Sequence, residues 1–290
     1  MPSTKLEYPT QPYSKVNRYD HRASYALETI HEIVNTCPIL HVSFTPPDSP
    51  FPTILPMIGQ MGSFERPSAD TGDVLELYLH GYVSSRLMNL SRKTTAVNGT
   101  GDPSFSSSTS ASAPPAPEGL PLCICATHLD GLVLSLTPNS HSYNYRSAVL
   151  FGHASVVTDA AEKLYAMELI TDSVVRGRYR HTRVPPSGAE MQSTSILRVR
   201  IAAGSAKLGT GMPTDDRADL EDGALLDRVW TGVVPVHYTM EQPIPGSYNR
   251  LEKVPGYLEE FRTDFNRDSK ETAIEASTKT TKPVKMKHDD

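Results

Sequence analysis

Two clusters of serine, arginine and tyrosine are the residues of this sequence best suited to holding a phosphate group. They are Ser84, Ser85 and Arg86 after one strand-like run, and Tyr145, Arg146 and Ser147 before another. Serine hydroxyls each donate one hydrogen bond, while arginine adds a permanently charged planar fork that matches two phosphate oxygens. A capped turn with a solvated arginine, or a polar loop that feeds an edge strand, would use the same residue types. Two such strand ends in a chain of formal net charge -5 favour an anion site.

His80 ends the first of these runs, in the stretch LELYLHGYVSSR. Alternation along a strand puts it on the face opposite Leu75, Leu77 and Leu79. A histidine in that position can act as an acid or an anchor in a substrate cavity, or it can hydrogen-bond the loop that follows. His80 therefore lies away from the leucine row, where the chain turns into the Ser-Ser-Arg sequence.

Other catalytic signatures are missing from the sequence. It has no Gly-x-Ser-x-Gly elbow and no Walker loop, and the glycines at 209 and 211 lead into Met-Pro-Thr and acidic residues, which does not match a dinucleotide fingerprint. The ten histidines lack the paired spacing of a metal site, so no metal is expected. The cysteines Cys37, Cys123 and Cys125 are too few for a disulfide framework and are predicted to be core thiols.

Composition limits the partners and the location. A pI near 6.1 argues against a nucleic-acid partner, because binding to phosphate backbones needs a basic face. No apolar run is long enough to span a membrane, and residues 1–20 have no apolar segment typical of a signal peptide. We expect a cytoplasmic protein with no membrane partner.

Hydrophobic periodicity predicts a mainly β fold. Residues alternate with a period of two at 40–44, 75–80, 122–126, 132–136, 148–156 and 197–201, with less regular candidates at 52–61 and 231–240. Only two helices are predicted, one that starts near Asp20 and runs to Cys37, and one that opens with the capping-box residues Asp159 and Glu162. Many strands with two helices favour a closed or nearly closed antiparallel barrel over a doubly wound sheet.

The predicted organisation is one domain with unstructured appendages. Residues 1–16 form an N-terminal arm and residues 17–267 the barrel domain. Inside that domain, a Ser- and Pro-rich insert at 91–119 and a Gly-rich acidic loop at 204–227 are predicted to lack regular structure. A polar, Lys-rich tail at 268–290 is predicted to be disordered, since it offers too little apolar surface to offset the entropy of ordering.

Several short motifs, taken in order, carry a family resemblance. They are Arg22-x-x-Tyr25, ILHVSF at 39–44, PTILPM at 52–57, YLHG at 78–81, YRS at 145–147, FGHA at 151–154 and WTGVVP at 230–235. This series resembles the flavin-nucleotide-binding split-barrel family related to pyridoxamine 5'-phosphate oxidase, in particular its nitroimidazole-resistance-protein branch. The resemblance spans about residues 17–260.

The resemblance implies an antiparallel split barrel, flanked by helices, that forms a homodimer and binds FMN at the interface. The flavin ring would lie along Leu55, Pro56 and Met57. The phosphate would lie near His80, Ser84, Ser85 and Arg86, with Tyr145, Arg146 and Ser147 as a second group. Trp230, the single tryptophan, would cover the flavin or the dimer seam, or else would fill the core as an aromatic plug.

The function implied by the resemblance is flavin-dependent oxidation or reduction of a small organic substrate. In that function His80 would be the catalytic residue, as an acid or as an anchor in the substrate cavity. A second hypothesis is a non-catalytic flavin-binding protein, or a split barrel that binds haem through His41, His80 or His153. A third is an interaction protein that recruits partners through the Ser/Pro-rich insert.

Overall fold

A computed structural model of the protein describes residues 5–99 and 118–279, with side chains of 95–99 left aside. The strands in this part of the chain are β1 Ala23–Ser24, β2 Leu40–Phe44, β3 Thr53–Met57, β4 Gly59–Gly62, β5 Glu76–Tyr82, β6 Leu120–Leu134, β7 Ser142–Val156, β8 Thr194–Gly209 and β9 Gly232–Pro235. The α-helices are α1 Leu27–Thr36, α2 Arg86–Gly99, α3 Ala160–Val174, α4 Gly188–Ser193, α5 Arg217–Leu220, α6 Gly223–Leu226 and α7 Gly256–Thr278.

The strands form one sheet whose order is β3-β2-β6-β7-β8-β5-β4, with β1 paired to β8 and β9 paired to β6. The pairings of β2 with β3, β2 with β6, β4 with β5, β5 with β8 and β6 with β9 are antiparallel. This open, mostly antiparallel sheet with flanking helices fits a split-barrel type of fold. The predicted fold class is therefore confirmed.

The period-two pattern located the strands well. β2 has the predicted bounds, and the predicted run at 52–61 divides into β3 and β4. The runs at 122–126 and 132–136 are parts of the single long strand β6. Residues 204–209, which were predicted to belong to a loop, extend β8 instead, because Gly204, Ser205 and Ala206 are buried small residues that carry little hydrophobic signal.

The helix predictions need more correction. Asp159 does cap α3, since its side chain accepts a hydrogen bond from the Glu162 amide at 2.8 Å. The first helix begins at Leu27 rather than near Asp20, after a short 3-10 turn and β1. The prediction of only two substantial helices is wrong, because α2 and α7 are also long.

Part of each predicted unstructured segment is helical. Residues 91–99 belong to α2, and residues 268–278 belong to α7. In α7 the buried side chains near the end are Ala273, Ala276 and Ser277, so a small-residue contact orders a segment whose composition looks polar. The rest of the insert at 100–117, together with residues 1–4 and 280–290, lies outside the described residues.

The chain divides into two compact units, a division that was not predicted from the sequence. Unit 1 comprises residues 1–126 and 147–206, and unit 2 comprises residues 127–146 and 207–290. Strands β6, β7 and β8 contribute residues to both units. The predicted functional residues are thus distributed over two compact units.

Unit 1 holds most of the large buried side chains. Those with essentially no exposure include Ile30, Leu40, Leu77, Leu79, Leu87, Met88, Ile124, Leu150 and Leu197. Tyr78, which alternation assigns to the polar face of β5, is also fully buried, because α3 covers that face with Ala166 and Ile170. β5 is consequently covered on both sides at this point.

Unit 2 is held by α7 and by buried polar contacts. α7 packs against β9. The Asn144 side-chain amide donates to the carbonyl oxygens of Gly211 at 3.1 Å and Ala276 at 3.3 Å, and the Gly211 amide donates to Ala276 at 2.8 Å. Two of these bonds satisfy the Ala276 carbonyl group, which lies in the last turn of α7 and has no partner within the helix.

Candidate functional site

The strand predicted to lie along the flavin ring is at the edge of the sheet. β3 pairs with β2 so that Pro56 lies opposite His41 and Leu55 opposite Val42. Pro56 is tolerated because an edge strand has no second neighbour that needs its missing amide hydrogen. Leu55 and Met57 are half-buried, while Pro56 is exposed. β3 therefore presents an apolar surface to its surroundings.

The outward row of this surface continues across β2 and β6. Because residues opposite each other in antiparallel strands share a face, Cys125 lies beside His41, and Cys123 lies beside Ser43. Neither cysteine forms a disulfide, and both are half-buried on the face opposite Ile124. They line the outward row, so the prediction that they are core thiols is wrong, whereas Cys37 is buried as predicted.

β3 and the end of β5 come together in unit 1. The Met57 methyl group lies 3.6 Å from the position that a Cβ atom would take at Gly81, and the Met88 methyl lies 2.5 Å from it. A side chain at position 81 would displace the flexible end of Met88, so glycine allows this approach without rearrangement. The predicted ring residue Met57 is thus adjacent to the chain that carries His80 and the Ser-Ser-Arg sequence.

His80 is exposed on β5, and its backbone amide donates to Ile58 at 3.2 Å. Protein atoms around the imidazole still remove enough water to lower the pKa of His80 below its usual value. The ring is therefore predominantly neutral at pH 7, so it can donate one hydrogen bond and accept another.

Ser84, Ser85 and Arg86 lead into helix α2. The Ser85 hydroxyl accepts a weak bond from the Met88 amide at 3.4 Å, and the Ser84 carbonyl accepts from the Asn89 side chain at 3.1 Å. Arg86 forms an exposed ion pair with Asp48, in the loop between β2 and β3, and this pair lowers the pKa of Asp48. The contacts of Ser84 and Ser85 in the structure are thus those of a turn that caps a helix, which was the alternative to a phosphate site.

Arg146, from the second predicted cluster, is fully engaged in unit 2. Its Nε and Nη2 atoms each lie 2.9 Å from one carboxylate oxygen of Asp130, in a bidentate pair. Asp130 is buried, and a buried carboxylate depends on its partner. The neighbouring Tyr145 ring packs against Gly209, and Ser147 is half-buried in β7.

Trp230 is exposed in unit 2, so the prediction of an aromatic core plug is wrong. Its ring lies within 2.8 Å of the position that a Cβ atom would take at Gly232, where φ is 152°. The residue is free to cover a ligand or a partner surface.

The histidines considered for haem differ in their surroundings. His41 is exposed, whereas His153 is half-buried, and burial together with Arg200 lowers the pKa of His153. His31, which sequence reasoning passed over, is fully buried with both ring nitrogens engaged, by the Tyr8 hydroxyl at 2.6 Å and the Thr71 carbonyl at 2.8 Å. That arrangement makes His31 a structural residue. In the described part of the chain, no group of three or more His, Cys, Asp or Glu side chains is placed to hold a metal ion.

A buried polar network was also missed from the sequence. The Tyr78 hydroxyl donates to Glu162 at 3.0 Å, and Arg198 contacts Glu162 at 3.2 Å. Burial, reinforced by Glu162, raises the pKa of Tyr78. Tyr78 and Glu162 are far apart in sequence, so no local pattern could have revealed this pair.

A cavity of about 410 Å³ lies in unit 1, beside this network, and is lined by Gln60, Pro67, Tyr165, Glu168, Leu169, Asp172 and Ser173. None of the predicted site residues lines it. Its two carboxylates make it unsuited to a phosphate group.

Comparison with known proteins gives a family-model match over part of the chain. Residues 104–208 match the family model described as pyridoxamine 5'-phosphate oxidase. This part of the chain is therefore similar to a pyridoxamine 5'-phosphate oxidase-like domain. The predicted resemblance is therefore confirmed for the domain. A comparison with curated proteins gives no match.

Several solved structures are similar to this chain. The flavocytochrome Anf3 from Azotobacter vinelandii is 26% identical, covers 89% of this chain and 99% of its own, and has a TM-score of 0.65. The FAD and haem binding protein from Mycobacterium smegmatis is 23% identical, with 83% and 97% covered and a TM-score of 0.63. A protein from Bacteroides thetaiotaomicron described as a 5-nitroimidazole antibiotic resistance protein matches with 16% identity, 64% and 85% coverage and a TM-score of 0.43.

The helices add one negative finding. Among those that the structure describes, none combines the length and the apolar character that crossing a membrane requires.

Proposed function

We propose that this protein is a flavin-binding oxidoreductase that works as a homodimer in the cytoplasm, holds FMN and acts on a small organic substrate. The observation that carries the proposal is the contact of Met57 with Gly81, which joins the predicted ring strand to the predicted phosphate loop within one compact unit. The match to the pyridoxamine 5'-phosphate oxidase family model supports the same assignment.

The residues of unit 1 suit the flat apolar ring of a flavin. Leu55 and Met57 offer half-buried apolar side chains, and Pro56 keeps the edge strand from pairing with a further strand. A bound flavin would supply the redox chemistry, and the protein would supply orientation and shielding from water.

The start of α2 suits a phosphate group. Helix N-termini present free amide hydrogens and the positive end of the helix dipole, and Arg86 adds a guanidinium that is half exposed. Its pair with Asp48 is open to water and is consequently weak enough to exchange for a ligand phosphate. Arg146 does not fit this role, because binding a phosphate there would strip a buried aspartate of its partner. We therefore assign the phosphate to Ser84, Ser85 and Arg86 alone.

His80 is the residue we assign to the substrate. The lowered pKa keeps its imidazole neutral, so it can hold a polar substrate group by donating or accepting a hydrogen bond. Trp230 is exposed and aromatic, which suits a residue at the dimer seam, and this role is part of the proposal.

The purified protein provides a direct test. We expect a yellow protein that releases a fluorescent flavin when it is denatured, and mass spectrometry of the released molecule separates FMN from FAD. A colourless protein that takes up neither flavin would overturn the proposal. A flavin that is bound tightly but never reduced by any donor would instead assign the protein to the non-catalytic flavin binders.

A haem group beside the flavin is the second candidate function. It is favoured by the 26% identity to a flavocytochrome over 89% of this chain. Of the three histidines considered, His80 and His153 both have a lowered pKa, which favours the neutral imidazole that binds iron. We assign the haem to His153, because His80 is assigned to the substrate. A Soret band in the purified protein that disappears in a His153→Ala variant, but persists in a His41→Ala variant, is the expected result.

A further inference from the structure

An exposed arm connects β9 to α7 in unit 2. We define it as residues 241–254, a run of fourteen residues that are all exposed and lie in neither helix nor strand. Ile244 is 93% exposed and Tyr248 is 90% exposed, and Leu251 is also largely exposed. Large apolar side chains at the surface are ordinary one at a time, but a contiguous set this exposed marks an interaction site.

Both ends of the arm are fixed. Just before it, Met240 and the Asn266 side chain of α7 exchange two hydrogen bonds of 2.7 and 2.9 Å. Just after it, the Leu258 amide donates to Pro255 at 3.0 Å at the start of α7. Within the arm, a turn is closed by the Asn249 amide donating to Gly246 at 2.9 Å. Prolines 243 and 245 restrict the backbone further, so ordering the arm on a partner costs little entropy.

The charges of the arm argue for a neutral partner. Glu241 and Glu252 are balanced by Arg250 and Lys253. A nucleic acid or an anionic membrane would require an excess of basic residues. Tyrosine, isoleucine and leucine instead provide the apolar anchors on which protein interfaces depend.

The same chain carries an apolar surface of the matching kind. Around β3 in unit 1, the exposed side chains are Phe51, Ile54 and Ile58, together with Tyr82 at the end of β5. A chain that displays both an apolar arm and an apolar sheet surface can satisfy both at once by reciprocal exchange with an identical chain. In such an exchange each copy gives fourteen arm residues together with the four acceptor residues named, which approaches the roughly 20–30 residues per side of a stable interface.

We propose that the exposed arm docks on the apolar surface around β3 of a second copy of this chain, in a reciprocal twofold exchange. This inference rests on the homodimer of the proposed function but not on its flavin. It would place the arm of one subunit beside the strand that we assign to the flavin ring in the other.

The test compares the double variant Ile244→Asp/Tyr248→Asp with wild type by sedimentation equilibrium. We expect a wild-type dimer and a dimer Kd raised at least a hundredfold in the variant, with an unchanged circular dichroism spectrum. Val74→Asp is the matched control, because Val74 is an exposed apolar residue outside both surfaces, and it should remain dimeric. A monomeric wild type, or an arm variant as dimeric as the control, would overturn the proposal.

Hydrogen exchange keeps the test decisive if the double variant fails to fold. The amides of 241–254 in the wild type should be protected at high protein concentration and should lose protection on dilution. Protection that does not depend on protein concentration, or that requires anionic vesicles, would show that the arm does not bind a second copy of the chain, and would overturn the proposal. Flavin content measured on the same samples separates the two proposals. A colourless dimer would contradict flavin binding but not the docking of the arm. A yellow monomer would contradict the dimer and the docking of the arm but not flavin binding.

Discussion

The two arginines predicted to bind phosphate each face one aspartate, but in opposite surroundings. In unit 1, Arg86 and Asp48 have side chains that are 50% and 75% exposed. In unit 2, Arg146 and Asp130 have side chains that are 26% and 4% exposed. The first pair joins a loop to the start of a helix, whereas the second is a bidentate pair between two long strands, β6 and β7.

Burial decides what each pair can do. Water competes with an exposed pair, so that it contributes little to stability, and its arginine can exchange one anion for another. A buried aspartate has lost its water, so that removing its arginine leaves an uncompensated charge. Identical residue types therefore give a candidate ligand site in unit 1 and a buried, structural ion pair in unit 2.

The largest expected effect is the loss of stability when the buried pair of Arg146 and Asp130 is broken. Arg146→Met should lower the free energy of unfolding by about 3 kcal/mol, because Asp130 would remain buried without its partner. Urea unfolding followed by the fluorescence of Trp230, the single tryptophan and a residue of unit 2, measures this change where it occurs. Arg262→Met is the matched control, since Arg262 is similarly covered but its partner Glu259 is far more exposed, and a much smaller loss is expected.

A second variant shows whether the loss comes from the stranded charge. In Arg146→Met/Asp130→Leu both charges are gone, so the double variant should be more stable than Arg146→Met alone. Equal or greater destabilisation in the double variant would mean that the pair itself, rather than the orphaned carboxylate, provides the stability.

On the exposed pair we expect an effect on ligand binding rather than on folding. Arg86→Met should weaken FMN binding by about tenfold, since a hydrogen bond to a charged group is worth roughly 1.5 kcal/mol or more. The urea midpoint should stay close to that of wild type. Arg66→Met serves as the control, because Arg66 forms a comparable exposed pair with Asp73 in the same unit, and its FMN affinity should be unchanged. Unaltered affinity in Arg86→Met, measured by fluorescence titration, would remove Arg86 from the site.

The contrast between the two arginines could not have been predicted from the sequence. Alternation located the strands, because one face of each is buried and the signal is local. The partner of Arg146 is sixteen positions away on a neighbouring strand, and the burial of that partner depends on packing within unit 2. Sequence patterns identified both arginines as strand-end groups, and only tertiary burial separated their roles.

The helices illustrate the same limit. The capping residue Asp159 marked the start of α3 correctly, since a cap is a local contact. The end of α7 is ordered by buried alanines and a serine, which a composition argument reads as polar, unstructured chain. The burial of Tyr78 under α3 was likewise invisible to the alternation pattern of β5.

Removing the carboxylate of Asp48, which competes with a ligand phosphate for Arg86, should change FMN affinity less than Arg86→Met does, and should raise it. In Asp48→Asn the guanidinium no longer faces a carboxylate, so FMN affinity should rise by about threefold, within the modest energy of an exposed pair. Asp73→Asn is the control, because it removes an aspartate from the comparable pair with Arg66. A decrease in affinity for Asp48→Asn would indicate that Asp48 orients Arg86 for the phosphate instead of competing with it.

The smallest expected effect is a difference in how strongly the two arginine–aspartate pairs respond to salt. Raising the ionic strength from 0.1 M to 1 M shortens the screening length from about 10 Å to about 3 Å, which weakens contacts between exposed charges much more than contacts between buried ones. The FMN affinity ratio of wild type to Arg86→Met should therefore shrink by about twofold or more over this range. The stability difference between wild type and Arg146→Met should change much less, because water and ions do not reach Asp130. Both quantities come from titrations and urea curves repeated at the two salt concentrations. A salt-insensitive affinity ratio would mean that Arg86 becomes buried when the ligand binds, and the two arginines would then differ only in the free protein.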